Sequence, residues 1–418
     1  MAAPDLADPA GVDVADPVLH RDGVLPPVWR WLRGNDPVRW TVRPNGDSFW
    51  SVTSHAEGVR VLRDSGTFSS ERGIRLGGEP RAAAAAAGRM LIVTDPPRHG
   101  EIRRIIGSAF TARTVRRLEQ NMRETVTACL DQAVEEGTTD LVRIAARLPV
   151  SVICDLLGVP REDWDFMLDR TTTAFGAVDE HGGPTAAAAE AHTDILLYYL
   201  ELVGQRRREP REDVVTALVQ GEVDGRPLTD EEILLNCDGL ISGGNETTRH
   251  AAVGGLLALA AYPAQWRALR DDPGILPTAV DEILRWTTPG AHILRTAVHD
   301  TELGGRAIGA GQSVVVWGAS VNRDESVFDA PDEFRLDRKP NRHLTFGHGS
   351  HYCLGGALAT SELRVLFGEV ARRVAAVGVT GPVRRVRSNH IAGFEEAFIA
   401  LEPAASRSPA PAGGGRHG

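Results

Sequence analysis

A single cysteine lies in a glycine-rich turn towards the end of the chain. Residues 346–359 read FGHGSHYCLGGALA, so Cys353 stands between two pairs of glycines, and an apolar helical pattern follows at once. A cysteine at a loop-to-helix junction lies near helix N–H groups, which lower its pKa and favour the thiolate. Glycines let the backbone approach a flat ligand and turn amide groups towards the sulfur. The turn therefore predicts a thiolate held against a bound group.

From the residue alone, two interpretations of this cysteine stay open. A thiolate held by backbone amides can be the axial ligand of haem iron, where it donates electron density that favours O–O cleavage. For an isolated cysteine, a buried structural role is the more frequent outcome. The pattern F-x-x-G-x-H-x-C-x-G favours the haem ligand, and it is filled by Phe346, Gly349, His351, Cys353 and Gly355.

At these residues the chain resembles the cytochrome P450 family, specifically its bacterial haem-thiolate monooxygenases. The resemblance extends from about residue 36 to residue 401. It implies a mainly α fold with a small β-rich region, the single-domain triangular prism of the family, with haem b between two central helices. It also implies that O₂ is activated opposite Cys353 and that a mid-sized organic substrate is hydroxylated or otherwise oxidised.

Residues 230–258 predict one long, largely buried helix with Asp230 at its N-cap or in its first turn. Gly243 and Gly244 each cost about 1 kcal/mol relative to alanine inside a helix, so they predict close approach of another body. Thr247 lies four residues after Gly243, and its hydroxyl is expected to bond that carbonyl. A packing notch between helices explains these residues equally well in isolation.

The run GGNETT at residues 243–248 resembles the A/G-G-x-D/E-T motif of the family. The resemblance implies an O₂ groove beside the haem, with Glu246 and Thr247 relaying protons. An intact acid–alcohol pair argues against peroxide-driven members, which dispense with this relay.

A Glu-x-x-Arg pattern is weak by itself, because an exposed i,i+3 pair on a helix contributes only about 0.2–0.5 kcal/mol. It occurs five times, starting at Glu57, Glu101, Glu246, Glu282 and Glu369. The resemblance singles out Glu282–Arg285. It also implies that Arg338 completes a buried structural triad beneath the cysteine loop.

The two haem propionates need cationic or hydrogen-bonding partners. His99 and Arg103 are four residues apart and therefore share one face of a predicted helix. The resemblance adds Arg295 and His351 at positions that the family uses for propionate contact. Three other histidines lie near motifs without occupying their liganding positions and receive no role: His250, His343 and His348.

The resemblance implies a substrate pocket lined by residues 74–92, 175–178, 240–244 and 290–294, and closed by residues 391–394. The predicted pocket residues are Leu240, Gly243, Gly244, His292, Ile293 and Phe394. These segments are mostly apolar, with His292 and Asn389 as the few polar groups. This suits a mid-sized, mostly apolar substrate.

The chain carries no convincing dinucleotide or flavin motif, because GGRAIGAG at residues 304–311 lies between predicted strands instead of opening a helix. Electrons are therefore expected from NAD(P)H through an external ferredoxin and ferredoxin reductase. A basic patch on the cysteine-side face suits docking of an acidic partner, although an ordinary charged surface is an equal alternative. Its members are Arg103, Arg104, Arg113, Arg116, Arg117 and Arg342.

The composition and charge of the chain limit the classes of protein to which it can belong. The 418 residues are 42% hydrophobic and 24% charged, which is ordinary for a globular protein, and the net charge of −10 disfavours a nucleic-acid partner. No apolar run reaches the roughly 18 residues that span a bilayer, and the N-terminus lacks signal-peptide features, so we expect a cytoplasmic protein without membrane contact. The other three cysteines form no CxxC pair, which argues against a zinc site and against disulfide bonds. We expect each of them to be a small buried residue: Cys129, Cys154 and Cys237.

Along the chain, we expect residues 23–402 to form one P450 domain between disordered tails at 1–22 and 403–418, which are poor in apolar side chains. Alternating runs near 38–52 and 292–316 predict strands, and residues 97–285 are mostly helical.

The predicted function is oxidation of a secondary metabolite. Abundant Arg, Ala and Gly with scarce Lys is typical of GC-rich bacteria, in which such enzymes often tailor natural products. The run GGNETTRHA resembles members that act on carrier-protein-bound substrates. Two alternatives remain: aryl coupling or epoxidation by the same chemistry, and a non-catalytic haem-fold protein that recruits a partner enzyme.

Overall fold

The computed structural model describes residues 8–176 and 185–404, and α-helices dominate this part of the chain. Its α-helices are α1 (Pro17–Asp22), α2 (Pro26–Asn35), α3 (His55–Arg63), α4 (Pro80–Ala86), α5 (Arg98–Gly107), α6 (Ala112–Glu136), α7 (Leu141–Ala145), α8 (Arg147–Leu157), α9 (Trp164–Gly176), α10 (Ala186–Arg208), α11 (Val214–Gln220), α12 (Asp230–Ala261), α13 (Pro263–Asp271), α14 (Leu276–Thr287), α15 (Gly318–Val321) and α16 (Gly356–Arg373). Its strands are β1 (Val38–Val42), β2 (Ser48–Val52), β3 (Phe68–Ser69), β4 (Thr138–Asp140), β5 (Glu222–Val223), β6 (Arg226–Pro227), β7 (His292–Ala297), β8 (Thr301–Leu303), β9 (Arg306–Ile308), β10 (Ser313–Trp317), β11 (Val374–Arg385) and β12 (Phe394–Pro403).

The long helix predicted at residues 230–258 is α12, and it runs through the largest hydrophobic core. Thr229 caps it: its hydroxyl accepts from the Glu232 N–H, and the Glu232 carboxylate accepts from the Thr229 N–H. Asp230 therefore lies in the first turn. Further along, a Cβ added at Gly255 would lie 2.5 Å from the Phe367 ring, so glycine lets α12 and α16 pack closely.

The β-rich region lies beside this helical body. Its main sheet has the strand order β1-β2-β10-β7-β3, in which β2 and β10 are parallel and the other neighbours are antiparallel. A second sheet has the order β11-β12-β4. The strands predicted near residues 38–52 and 292–316 are confirmed as β1, β2 and β7–β10.

The prediction of a disordered N-terminal tail is wrong for residues 8–22. Val14, Ala15 and Leu19 are buried and pack in a core with Trp29 and Trp317. A few well-spaced apolar side chains therefore suffice to order this segment, because a tryptophan-lined surface covers them. Residues 1–7 lie outside the described residues.

At the C-terminal end, the predicted disordered tail at residues 403–418 starts two residues too early. Pro403 ends β12 opposite Val374, and the Ala404 N–H donates to the Arg373 carbonyl at 2.8 Å. Residues 405–418 lie outside the described residues.

Three cysteines are buried among apolar side chains, as predicted: Cys129, Cys154 and Cys237. Within residues 8–176 and 185–404, no helix combines the length and the apolar character that crossing a membrane requires.

Candidate functional site

The loop that carries Cys353 is held by backbone geometry. The Cys353 N–H donates to the Phe346 carbonyl at 2.8 Å, and the Gly356 N–H donates to the Cys353 carbonyl at 3.2 Å. Gly347 and Gly349 have φ of +69° and +72°, in the left-handed region that other residues rarely adopt. These two glycines fold the segment back so that the cysteine lies directly before α16.

The thiol of Cys353 is accessible, whereas the other three cysteines are buried. Burial of the surrounding site raises the pKa of the Cys353 thiol, and the Gly355 N–H and the charge of Arg103 only partly oppose this effect. The Gly355 N–H therefore lowers this pKa, as the sequence predicts, but burial has the larger effect, and the prediction of a net lowering is wrong for the polypeptide alone. A coordinating metal cation would supply the missing positive charge, because it deprotonates a thiol that it binds.

Two of the predicted site glycines border open space. A Cβ added at Gly243 or Gly355 would meet no atom within 4 Å. Gly243 is exposed although it lies in the middle of a mostly buried helix, and the half-buried Leu240 lies one turn before it. Gly244 is tighter, because its Cβ would lie 3.4 Å from the Ile153 side chain. The open space beside Gly243, on an otherwise mostly buried helix, fits the close approach of a bound flat group.

Glu246 and Thr247, the acid–alcohol pair on α12, lie in different environments. The Thr247 hydroxyl donates to the Gly243 carbonyl at 2.9 Å, as predicted from their spacing. Glu246 is buried, and its Oε2 contacts Arg249 Nη2 and, at 3.2 Å, His250 Nε2. Its Oε1 is also buried and accepts no hydrogen bond from the described residues.

The four predicted propionate partners come together. The His99 and His351 rings pack together with centroids 4.3 Å apart and ring planes tilted by 47°. Burial, together with positive charge on His351, Arg103 and Arg295, lowers the pKa of His99 to about 4, and Asp95 only partly opposes this shift. Their mutual influence requires these groups to lie close to one another.

This cluster holds more positive than negative charge. Arg295 is buried, its Nη1 donates to the Leu294 carbonyl at 2.8 Å, and Asp95 is the acid that acts on its charge. His351 Nε2 lies 3.7 Å from Asp95 Oδ1 and 3.3 Å from Ser70 Oγ. Asp95 is one carboxylate beside the two arginines Arg103 and Arg295, which leaves room for further anions, so the residues present fit a group that carries two propionates.

The structural triad forms as predicted. Arg285 Nε and Nη2 donate to the two carboxylate oxygens of Glu282, each at 2.7 Å, and Arg338 Nε donates to Glu282 Oε2 at 3.1 Å. Arg338 also donates to the Ala330 and Glu333 carbonyls, which lie in the stretch between α15 and the cysteine loop. Glu282 and Arg285 are fully buried, so the triad fixes this stretch against α14.

Burial separates this Glu-x-x-Arg pair from two others. Glu57 and Arg60 are 3.9 Å apart with half of the arginine exposed, and Glu369 pairs with an Arg372 that is two-thirds exposed. The pair that starts at Glu246 is a second buried one, which the pattern alone did not distinguish.

His292 is not a pocket residue, contrary to the prediction. Its Nε2 accepts from the Leu76 N–H at 2.9 Å and its Nδ1 donates to the Asn389 carbonyl at 2.8 Å. Strand alternation explains the error, because on β7 His292 shares a face with Leu294 while Arg295 lies on the opposite face. Asn389 is also engaged elsewhere, since its Nδ2 donates to the Ala15 carbonyl at 2.7 Å.

The other predicted pocket residues have mixed outcomes. Ile293 lies on the Arg295 side of β7, and its Cδ1 would be 3.9 Å from a Cβ at Gly347. Phe394 is buried in the main core and its ring contacts α12 near Gly254. A backbone bridge joins residues 290 and 391, so these two predicted segments do meet. Residues 175–178 lie outside the part of the chain whose side chains the structure describes.

The predicted basic patch is smaller than expected. Arg113 pairs with Glu212 at 3.4 Å, and Arg117 pairs with Asp155 at 2.7 Å, so both charges are offset. Three exposed arginines remain, Arg104, Arg116 and Arg342.

Sequence reasoning missed three polar residues of the site. His250 contacts Glu246, and their i,i+4 spacing on a predicted helix could have indicated this contact. Asp95 lies four residues before His99 in the same motif. Asn341 donates to Glu282 at 3.2 Å, and no local spacing signals that contact.

Comparison with known proteins agrees with this arrangement. The family model described as Cytochrome P450 matches residues 274–374, which contain both the triad glutamate and Cys353. Cytochrome P450 NovI from Streptomyces niveus is 41% identical over 392 residues, which cover 93% of this chain and 96% of NovI. Nocardicin C N-oxygenase from Nocardia uniformis subsp. tsuyamanensis is 39% identical and covers 87% of this chain and 91% of its own length.

Among solved structures, P450 OxyD, which is involved in the biosynthesis of vancomycin-type antibiotics, superimposes with a TM-score of 0.85. It is 37% identical and covers 94% of this chain and 100% of its own. Relatives this similar over nearly the full length share both the fold and the chemistry of the haem-thiolate site. This chain therefore belongs to the cytochrome P450 family and is a P450 monooxygenase.

Proposed function

We propose that this monooxygenase oxidises a mid-sized, mostly apolar intermediate of natural-product biosynthesis, with hydroxylation as its main reaction. The observation that carries the proposal is the accessible Cys353 thiol on a loop shaped by two left-handed glycines. Similarity to the nocardicin oxygenase and to OxyD supports the biosynthetic setting. Aryl coupling and epoxidation remain alternative outcomes of the same chemistry.

In this proposal Cys353 would ligate the haem iron, and the cluster of His99, Arg103, Arg295 and His351 would hold the propionates. When bound, haem supplies the activation of O₂ for insertion of one oxygen atom into a C–H bond. Phe346, Gly349 and Gly355 shape the loop around the sulfur.

Two residues on α12 would handle protons. The Thr247 hydroxyl is held at the Gly243 carbonyl, beside the exposed glycine face. Glu246 Oε1 has no hydrogen-bond donor in the part of the chain that the structure describes, so this oxygen would be the one that takes up and releases a proton. Glu282, Arg285 and Arg338 would keep the loop region in place without touching substrate.

Electrons would come from NAD(P)H through a ferredoxin reductase and a ferredoxin. The exposed Arg104, Arg116 and Arg342 support an acidic partner, because charge complementarity speeds association. Raising the ionic strength from about 0.05 to 0.3 M should slow electron transfer from ferredoxin, and replacing each arginine with glutamate should slow it at low salt.

A cytoplasmic location of the protein stays a prediction.

The substrate could be free or attached to a carrier protein, and a binding screen separates the two. Binding of a substrate beside the haem would shift the haem spectrum from low to high spin. Free acids that give no shift, while their carrier-protein thioesters do, would support the carrier-bound form. Equal shifts for both would contradict it.

The decisive test is the spectrum of the reduced protein under carbon monoxide. Thiolate ligation gives a strongly red-shifted Soret band, and Cys353→Ser should abolish it. Retention of that band in the variant would mean that another residue ligates the iron. A protein with the band but no turnover with any partner would favour the non-catalytic accessory alternative.

A further inference from the structure

Three side chains form a buried polar network on one side of α12. Glu246 Oε2 contacts Arg249 Nη2 and His250 Nε2, which lie one turn further along the same helix. All three residues are buried. Both donor groups therefore contact one oxygen of the carboxylate, and the other oxygen has no donor among residues 8–176 and 185–404.

The contacts of His250 fix which ring nitrogen carries its proton. The backbone N–H of Phe394 points at His250 Nδ1 at 3.2 Å, so Nδ1 must be the unprotonated acceptor. Nε2 then carries the hydrogen and donates to Glu246 Oε2. Burial lowers the pKa of His250, which agrees with a neutral ring.

The ring also fits tightly against the turn before β12. A Cβ added at Gly393 would lie 2.5 Å from His250 Nε2, so only glycine leaves space for the imidazole at this position. The same turn continues from Ile391, which bridges to Gly290 at the start of the β7 region. His250 therefore connects the carboxylate on α12 to the turn at residues 391–394.

We propose that His250 is a positioning residue that holds Oε2 of Glu246 and thereby keeps Oε1 as the oxygen that exchanges protons during O₂ reduction. This inference rests on the proton relay proposed above for Glu246 and Thr247. Because the donors contact only Oε2, the two oxygens of the Glu246 carboxylate are inequivalent, and the orientation of the carboxylate is set before the reaction. Loss of the imidazole leaves Arg249 as the remaining donor to Oε2, so the carboxylate is held less firmly, and it leaves the Phe394 N–H without its acceptor.

The experiment uses the haem-loaded protein with ferredoxin, reductase and NAD(P)H, and O₂ itself as the probe, so no organic substrate is needed. One O₂ is consumed per NAD(P)H when hydrogen peroxide forms, and half an O₂ per NAD(P)H when water forms. Proton delivery favours water, so the ratio reports the relay. His250→Phe keeps the ring shape and removes both hydrogen bonds, whereas His250→Gln can still donate to Glu246 and accept from Phe394.

We expect His250→Phe to raise the share of peroxide at least about threefold. The increase should stay below the ~10²-fold loss of rate that follows when a reacting group is fully misplaced, because His250 only positions the carboxylate. Glu246→Gln should do the same, and the double variant should show no further increase, because both act on one step. His250→Gln should restore the ratio. His20→Phe, at a half-buried histidine whose ring packs against Trp29 and Trp317, is the matched control and should leave the ratio unchanged.

An unchanged ratio in His250→Phe alongside a changed ratio in Glu246→Gln overturns the inference and leaves the relay intact. Unchanged ratios in both Glu246→Gln and Thr247→Ala mean that the relay itself has failed, and this inference fails with it. If His250→Phe does not bind haem, His250→Asn, too short to reach both partners, replaces it under the same expectations. The carbon monoxide spectrum identifies which variants carry an intact site.

Discussion

Gly349 lies directly against the backbone of Arg63, the last residue of α3. A Cβ at Gly349 would be 2.8 Å from Arg63 Cα and equally close to the Leu62 carbonyl oxygen. The φ of Gly349 is also positive. Both space and backbone conformation therefore exclude any other residue here, and the packing of α3 sets the path of the chain towards Cys353.

We expect Gly349→Ala to lose haem during purification. The left-handed conformation costs an alanine roughly 1–2 kcal/mol, and the overlap with backbone atoms adds to it because neither chain can yield. Haem content per protein and the carbon monoxide spectrum measure the effect. Gly107→Ala is the control, since a Cβ there meets no atom within 4 Å, and it should retain haem. Full haem retention in Gly349→Ala would contradict the packing.

Glu282→Gln should strongly destabilise the protein. It leaves the buried Arg285 and Arg338 without their shared carboxylate, and breaking a buried ion pair costs roughly 3–5 kcal/mol. Glu369→Gln removes the glutamate from a solvent-exposed pair of the same pattern and should cost under about 1 kcal/mol. Chemical unfolding of both variants gives the comparison. Similar losses for the two would show that burial is not what distinguishes them.

Glu362 on α16 predicts a pH-dependent stability. Burial raises the pKa of its carboxyl to about 8, and its Oε2 has no hydrogen-bond partner among the described residues. Because the folded state holds this proton more tightly than the unfolded chain, with its usual value of 4.5, stability falls as the pH rises from about 4.5 to about 8.

Glu362→Gln keeps the shape without a titrating group. Its melting temperature should therefore exceed that of the parent protein by an amount that grows between pH 5 and pH 8. By linkage, the difference amounts to at most about 1.4 kcal/mol per pH unit. Glu369→Gln on the same helix controls for the loss of one negative charge. A difference between Glu362→Gln and parent that does not vary with pH would refute the assignment.

Thr247→Ala should uncouple O₂ consumption from product. The hydroxyl is fixed at the Gly243 carbonyl, and its removal takes away a hydrogen-bonding group at the exposed face of α12. Peroxide release per NAD(P)H should rise while the carbon monoxide band stays in place. Thr247→Ser retains the hydroxyl and should stay close to the parent protein. Unchanged coupling in Thr247→Ala would count against its part in the relay.

Helical spacing made several of these contacts predictable. Thr247 with Gly243 and Glu282 with Arg285 are i,i+4 and i,i+3 pairs, so the helix itself brings them together. Arg338 lies 56 residues from Glu282, and only the resemblance to the family indicated that contact. The overall fold followed from the same resemblance.

Other features depend on tertiary structure that no local pattern contains. His292 looked like a pocket residue because its segment borders the site, but the strand turns its side chain to the opposite face. The pKa of Cys353 rises because burial outweighs the nearby helix N–H groups, and the extent of burial cannot be read from spacing. The N-terminal segment is ordered by Trp317, three hundred residues away along the chain.

That segment has a practical consequence for anyone who handles the enzyme. Ala15 accepts a hydrogen bond from Asn389, Asn389 accepts one from His292, and His292 accepts one from the amide of Leu76. Three hydrogen bonds therefore join the N-terminal segment to a loop expected beside the substrate. Trimming the first fifteen residues to improve expression would release this loop. Affinities measured on shortened versions should therefore be compared with those of the 418-residue chain before they are attributed to substrate contacts alone.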